Sequence, residues 1–123
     1  IPSHVQGRSL LPEIRGDQVG GRDLAVSSYT YRQDAEVRCP TSLRTKEFLY
    51  VYGGDEGQSE YYDLRRDPDE SRNILTERSD EALEAHGLLV SFLDKIGCPR
   101  QSLRMRRRFN PRPRRPLPPS RIL

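Results

Sequence analysis

Along the first half of the chain, apolar and polar positions alternate with a period of two. In LAVSSYTY (Leu24 to Tyr31), Leu24, Val26, Ser28 and Thr30 share one face, and Ala25, Ser27, Tyr29 and Tyr31 the other. That is the pattern of a half-buried strand. Val37 to Thr45 predicts a second strand, interrupted at Pro40 as an edge or bulge allows. Phe48 to Tyr52 and Tyr61 to Leu64 predict a third and a fourth, with GGDEGQ (Gly53 to Gln58) as the hairpin loop between them. The period then changes. Ala82, Ala85, Leu89, Phe92, Leu93 and Ile96 recur at three- and four-residue steps, which predicts a helix over roughly Ser79 to Ile96 with one apolar stripe. Ser79 or Thr76 is its expected N-cap, and Asp80 and Glu81 enrich the first turn. Gly97 supplies the C′ position and Pro99 prevents continuation. The predicted fold class is α+β: a small antiparallel sheet of about four strands with one C-terminal helix packed on it.

Between sheet and helix lies EYYDLRRDPDESRN (Glu60 to Asn73). Tyr61, Tyr62 and Leu64 suit a pleated surface. Asp67, Pro68, Asp69 and Glu70 fall in the order N-cap, N1, N2, N3. The Asp67 carboxylate is expected to accept from the N3 amide while Glu70 reaches back to the Asp67 N–H. Pro68 at N1 sacrifices no hydrogen bond. This stretch predicts a strand running into a capped helical turn, with nothing catalytic in it.

Residues 1–21 carry Pro2, Pro12 and four glycines among scattered apolar residues, and predict an irregular connector anchored by Leu10, Leu11 and Ile14. Arg8 and Arg15 are expected to be solvated rather than paired with acids, His4 to lie at the surface and His86 to be packed or half-exposed. Residues 22–98 then form the folded unit, and residues 99–123 an Arg/Pro-rich tail. From Arg100 to Leu123 there are nine arginines and no acid, so the net charge of +3 divides into +9 for that stretch and −6 for residues 1–99. Body and tail are therefore read separately. With its prolines, the tail is expected to be disordered or polyproline-like. It is either a basic arm for weak, non-specific contact with nucleic acid or other anions, or an extension without a partner.

Two cysteines, Cys39 and Cys98, cannot make a disulfide framework, and their spacing suits no zinc site. No apolar run approaches the ~20 residues of a membrane span. The chain opens on Ile1 with no basic-then-apolar leader, as expected of a piece of a longer protein, which says nothing about export. With 33% hydrophobic residues and no Trp, any core is small.

Three segments carry a resemblance. Tyr62-Asp63-Leu64, two residues, Asp67-Pro68, one residue, Glu70, two residues, Asn73 resembles the motif near the end of formylglycine-dependent sulfatases of the alkaline-phosphatase-like superfamily. VQGRSLLPEIRG (Val5 to Gly16) is similar to the G-R-S-L-x-P segment that follows the catalytic domain's last helix, matching at Gly7, Arg8, Ser9, Leu10 and Pro12. SLRTKEFLYVY (Ser42 to Tyr52) resembles the strand preceding Tyr-Asp-Leu, matching at Arg44 and Thr45. Where that strand usually has Lys, this chain has Leu49, so no role for the lysine is carried over.

The resemblance implies a C-terminal subdomain of a sulfuric ester hydrolase, docked beside a catalytic α/β domain that is its expected partner, in cis or as a split chain. It also implies a reaction using a formylglycine made in C-x-P-x-R and a calcium ion that lowers the charge on the sulfate. That machinery is expected in the catalytic domain, with no cofactor in this chain. Cys39 begins C-P-T-S-L-R, with Thr41 and Leu43 where Pro and Arg are needed, and Cys98 begins C-P-R-Q-S. The chain alone is accordingly expected to be inactive, giving structural support and one wall of a pocket. The alternative is a stand-alone binding module whose basic tail contacts nucleic acid.

Overall fold

The computed structural model describes residues 7–17, 20–28, 40–54 and 59–109. Four strands, β1 (Leu24–Ser28), β2 (Thr41–Thr45), β3 (Phe48–Tyr52) and β4 (Glu60–Asp63), form one antiparallel sheet in the order β1-β2-β3-β4. Of the expected strand in Val37 to Thr45, Thr41 to Thr45 form β2, and the part before Pro40 lies outside the described residues, as do Tyr29 to Tyr31, His4, Cys39 and most of the Gly53 to Gln58 loop. Register sets two faces. Val26, Leu43, Tyr50 and Tyr61 stand in one inward row, flanked by Leu24, Thr41, Tyr52, Phe48 and Asp63. Ala25, Arg44, Leu49 and Tyr62 form the neighbouring outward row. The β2–β3 hairpin turns on Lys46 and Glu47, where the Thr45 hydroxyl accepts the N–H groups of Glu47 and Phe48, each at 3.1 Å.

Helix α2 (Ser79–Lys95) buries Ala82, Ala85, His86, Leu89 and Leu93. These join Leu43, Tyr50, Tyr52, Tyr61 and Leu75 in one core. Phe92 is half-buried and Ile96 exposed, so the stripe is narrower at its end than the spacing implied. Arg78 occupies the N-cap without a side-chain cap, in place of Ser79 or Thr76, and bonds Glu81 at 2.7 Å instead. The helix stops as predicted. Gly97 takes φ 75°, its N–H reaching the Asp94 carbonyl at 3.0 Å while Cys98 N–H reaches that of Leu93 at 2.9 Å. Both bonds satisfy carbonyls the helix would leave open.

Two expectations are corrected. The connector contains a one-turn helix, α1 (Leu11–Ile14), with Pro12 in its first turn, and Leu10 and Ile14 stand 63% and 79% exposed rather than anchored. The chain after Pro99 also does not begin as an unstructured tail. Arg100–Arg106 form a helix, α3, with Ser102, Leu103 and Arg106 buried. Arginine-rich composition hid this helix, because its stability comes from tertiary partners. Tyr52 hydroxyl donates to the Met105 carbonyl at 2.8 Å, and Arg106 Nε donates to the Thr41 hydroxyl at 3.0 Å. The tail expected beyond residue 109 lies outside the described residues.

Candidate functional site

The motif loop from Asp63 to Leu75 is built from carboxylate and amide caps rather than from a helix. Asp63 is buried at the end of β4, and its carboxylate accepts the Arg65 N–H at 3.1 Å. Its carbonyl accepts from Arg66 and Asp67 at 3.2 and 2.8 Å, which turns the chain. Asp67 then caps forwards, but onto a loop. Its two oxygens accept the N–H groups of Ser71 (3.0 Å) and Arg72 (2.9 Å), and the Ser71 hydroxyl adds a third bond at 2.8 Å. Those bonds, that of the Ser71 amide first, hold the Asp67 carboxyl below its ordinary range.

The predicted capping box is therefore not formed. Glu70 donates its own N–H to the Asp67 carbonyl at 3.1 Å, and its backbone lies at φ 55°. A left-handed non-glycine residue is uncommon. It aims the Glu70 carboxylate away from Asp67 and onto Arg44 of β2, with which it forms an ion pair. The pairing spans the sheet, so no local spacing rule could have shown it.

Asn73 closes the loop. Its carbonyl oxygen accepts the N–H groups of Tyr61 (3.1 Å) and Leu75 (3.0 Å), and its amide donates to the Ser59 carbonyl at 3.3 Å. With the Ile74 N–H on the Tyr61 carbonyl at 2.9 Å, the loop is stitched along the edge of β4. Tyr62 points outward and donates to Glu60 at 2.8 Å, while Leu64 N–H reaches the Glu47 carbonyl at 2.8 Å. Pro68 is exposed. The structure thus gathers Tyr62, Asp63, Leu64, Asp67, Glu70 and Asn73 at the β4 edge of the sheet, with Arg44 on β2 reached through Glu70 and Thr45 in the β2–β3 hairpin.

Gly7, Arg8, Ser9, Leu10 and Pro12 form a separate local cluster. Arg8 pairs with Glu13 and donates to the Gly20 carbonyl, against the expectation that it is solvated, and the Ser9 hydroxyl accepts the Leu11 N–H at 3.2 Å.

A cleft of about 350 Å³ opens beside the loop, lined by Asp63, Arg66, Asp67, Ser71, Arg72, Ile74, Glu77 and Arg78. Its charges are largely committed: Arg72 bonds Glu77 at 2.7 Å, Arg78 bonds Glu81, and Arg66 lies 3.9 Å from Asp63. Among the described residues no three His, Cys, Asp or Glu side chains are grouped to hold a metal ion. The Asp63 and Asp67 carboxylates of the cleft accept from backbone N–H groups instead.

His86, expected to be packed or half-exposed, is packed. His86 lies in the core between Tyr50, Tyr52 and Phe109. Its Nδ1 is 3.1 Å from the Tyr50 hydroxyl and its Nε2 is 3.1 Å from the Arg107 carbonyl. Since a carbonyl only accepts, Nε2 carries the proton and Nδ1 accepts from the tyrosine. Burial pushes the His86 pKa down, against the pull of the Arg107 carbonyl, and pushes the Tyr50 hydroxyl up. The pair is enclosed and tethers α3. It is a structural link.

The family model for "N-sulphoglucosamine sulphohydrolase, C-terminal" matches residues 1–93. The chain belongs to this family. None of the curated proteins compared with it matches. Among solved structures it is similar to BT4656, determined in complex with its substrate D-glucosamine-2-N,6-O-disulfate, at 25% identity and a TM-score of 0.62 over 83% of this chain and 22% of that one. It is also similar to a putative sulfatase from Bacteroides thetaiotaomicron (23% identity, TM-score 0.65, 83% of this chain and 25% of that one). A third, BT1596, a 2-O GAG sulfatase, is 24% identical with a TM-score of 0.62 over 78% of this chain and 21% of that one. The chain spans a quarter or less of the length of these structures. The family match bears out the resemblance carried by the three segments. It decides against the stand-alone binding module: this is a sulfatase-like C-terminal part.

Proposed function

We propose that this chain completes a sulfuric ester hydrolase acting on a sulfated amino sugar, as the subdomain that supports the catalytic domain and contributes a wall to its pocket. The observation that carries this reading is the family match over residues 1–93, which takes in the connector, all four strands and most of α2. The likeness to a structure holding a doubly sulfated glucosamine supports the substrate class. In this reading the formylglycine and the calcium belong to the catalytic domain, and the motif residues Arg44, Tyr62, Asp63, Asp67, Glu70 and Asn73 act by fixing one loop. Residues 1–21 run from the catalytic domain, and residues 22–98 with α3 form the docked unit.

A docking face supports the same reading. α2 and α3 pack on the inward face of the sheet, while the outward row holds half-buried Leu49 and Val51 beside the Arg44–Glu70 pair. Both side chains are apolar and only half-buried, and covering the remainder takes a partner. The test uses the polypeptide that joins this chain to its catalytic domain, beside the same polypeptide without residues 1–109 and the 123-residue chain alone. Sulfate release from N-sulfated and O-sulfated glucosamine is expected from the first only. Release by the chain alone, or undiminished release after the deletion, would overturn the proposal.

A further inference from the structure

Helix α3 divides its arginines between two tasks. Arg106 turns inward, buried against Thr41 and the Ser102 carbonyl. Arg100, Arg104, Arg107 and Arg108 are exposed. Their spacing of four, three and one puts the first three on one side of the helix, since Arg107 keeps helical backbone angles, and Arg108 follows at its end. Successive turns set such side chains about 5.4 Å apart along the axis. Among the described residues none of the four side chains is in an ion pair, and no acidic residue follows Asp94 in the sequence. The backbone beneath them is fixed by the Tyr52 bond to the Met105 carbonyl and the His86 bond to the Arg107 carbonyl. A cationic row on a pinned helix loses little freedom when a ligand settles on it.

We propose that this row is a secondary binding surface for a sulfated polysaccharide, holding sulfates of the chain other than the one being hydrolysed. The proposal rests on the reading of the chain as part of a hydrolase for sulfated sugars. Guanidinium forks match paired sulfate oxygens, which a lysine ammonium does as a point charge only. The surface also lacks what a single-stranded nucleic acid would use. Its exposed positions, with Gln101, include no aromatic ring, and Phe109 faces His86 with ring centroids 5.5 Å apart. Bases would find charge but no platform to stack on.

The test replaces all four residues together (Arg100→Gln, Arg104→Gln, Arg107→Gln and Arg108→Gln) in the polypeptide that includes the catalytic domain. Binding to immobilised heparin is measured across a salt series, and turnover on sulfated polysaccharide is compared with turnover on N-sulfated glucosamine. Neutralising four exposed charges should weaken heparin binding on the order of tenfold or more and flatten its salt dependence. KM on the polymer should rise while the monosaccharide parameters stay unchanged. A matching set of four Arg→Lys changes keeps the charge and loses the forks, so it should hold heparin between the unaltered protein and the glutamine variant, showing that the helix itself survives substitution. Unchanged heparin binding in the glutamine variant would overturn the proposal. So would equally tight binding of duplex DNA by the unaltered protein at the same salt. If neither sugar is hydrolysed, the proposed function fails, and the heparin series still decides for or against this surface.

Discussion

Asn73 makes three hydrogen bonds with one side chain, and each of its partners is a backbone group. Removing it leaves two N–H donors and one carbonyl of a partly buried segment to find water. Asn73→Ala should therefore destabilise the protein by about 2–3 kcal/mol, read as a lower urea midpoint at constant slope. Asn73→Asp keeps the acceptor but sets a carboxylate oxygen against the Ser59 carbonyl, so it should destabilise as well. His86 gives a second residue-scale expectation. Its folded pKa lies below the ordinary 6.5, so the unfolded chain takes up the proton first. Stability is undiminished above about pH 6.5 and falls as the pH drops below it, levelling off under the folded pKa. Unfolding midpoints from pH 7.5 down to 5.5 should show that loss, and a His86→Gln variant should show less of it. An identical slope in the two proteins would remove His86 as its source. Burial by the same core, with Glu81 adding to it, raises the Tyr61 hydroxyl to about 12, so it stays neutral throughout this range.

At the scale of elements, α3 is the part whose contribution composition concealed. Leu103 is buried in the core, and truncating it (Leu103→Ala) should cost about 2–4 kcal/mol in thermal or denaturant unfolding. α2 offers the opposite sign. A Cβ at Gly87 would meet nothing within 4 Å, on an exposed stretch of helix. Gly87→Ala should stabilise by about 1 kcal/mol, seen as a rise in Tm. Elements with a strong local period were legible: β3 falls on Phe48–Tyr52 as alternation implied, and α2 stops just before Gly97 as its cap residues required. The Asp67 to Glu70 stretch was not, since its spacing suits a capping box and the winning interaction is with Arg44 in another strand. α3 was missed for a related reason. One buried leucine among arginines carries no recognisable period, and the carbonyls of Met105 and Arg107 are reached by side chains distant in sequence. The strand-to-turn junction at Glu60 to Asn73 was legible in the sequence, but the bonding of Asp67, Glu70 and Asn73 was not.

For the molecule as a whole, the unbalanced sheet is the governing fact. One face is covered by two helices, the other carries half-buried Leu49 and Val51, and the connector exposes Leu10, Leu11 and Ile14. A few hundred Å² of unburied apolar surface forfeits several kcal/mol at roughly 25 cal/mol per Å², against a total stability of about 5–15 kcal/mol. The isolated 123-residue chain should accordingly self-associate in light scattering or sedimentation, and Leu49→Lys with Val51→Lys should reduce that association. A clean, stable monomer of the unaltered chain would mean that the outward face needs no partner. The order in which the polypeptide is made adds one consequence of the bonds from Tyr52 and His86 to α3. Strands and α2 leave the ribosome first, yet the acceptors for two of their buried polar groups are carbonyls at residues 105 and 107. The nascent sheet can assemble from neighbouring hairpins, but its interior stays wet at that end until α3 arrives. Translation thus sets a late closing step, and a ribosome stalled before α3 should hold a subdomain that is paired in its strands and still open at its core.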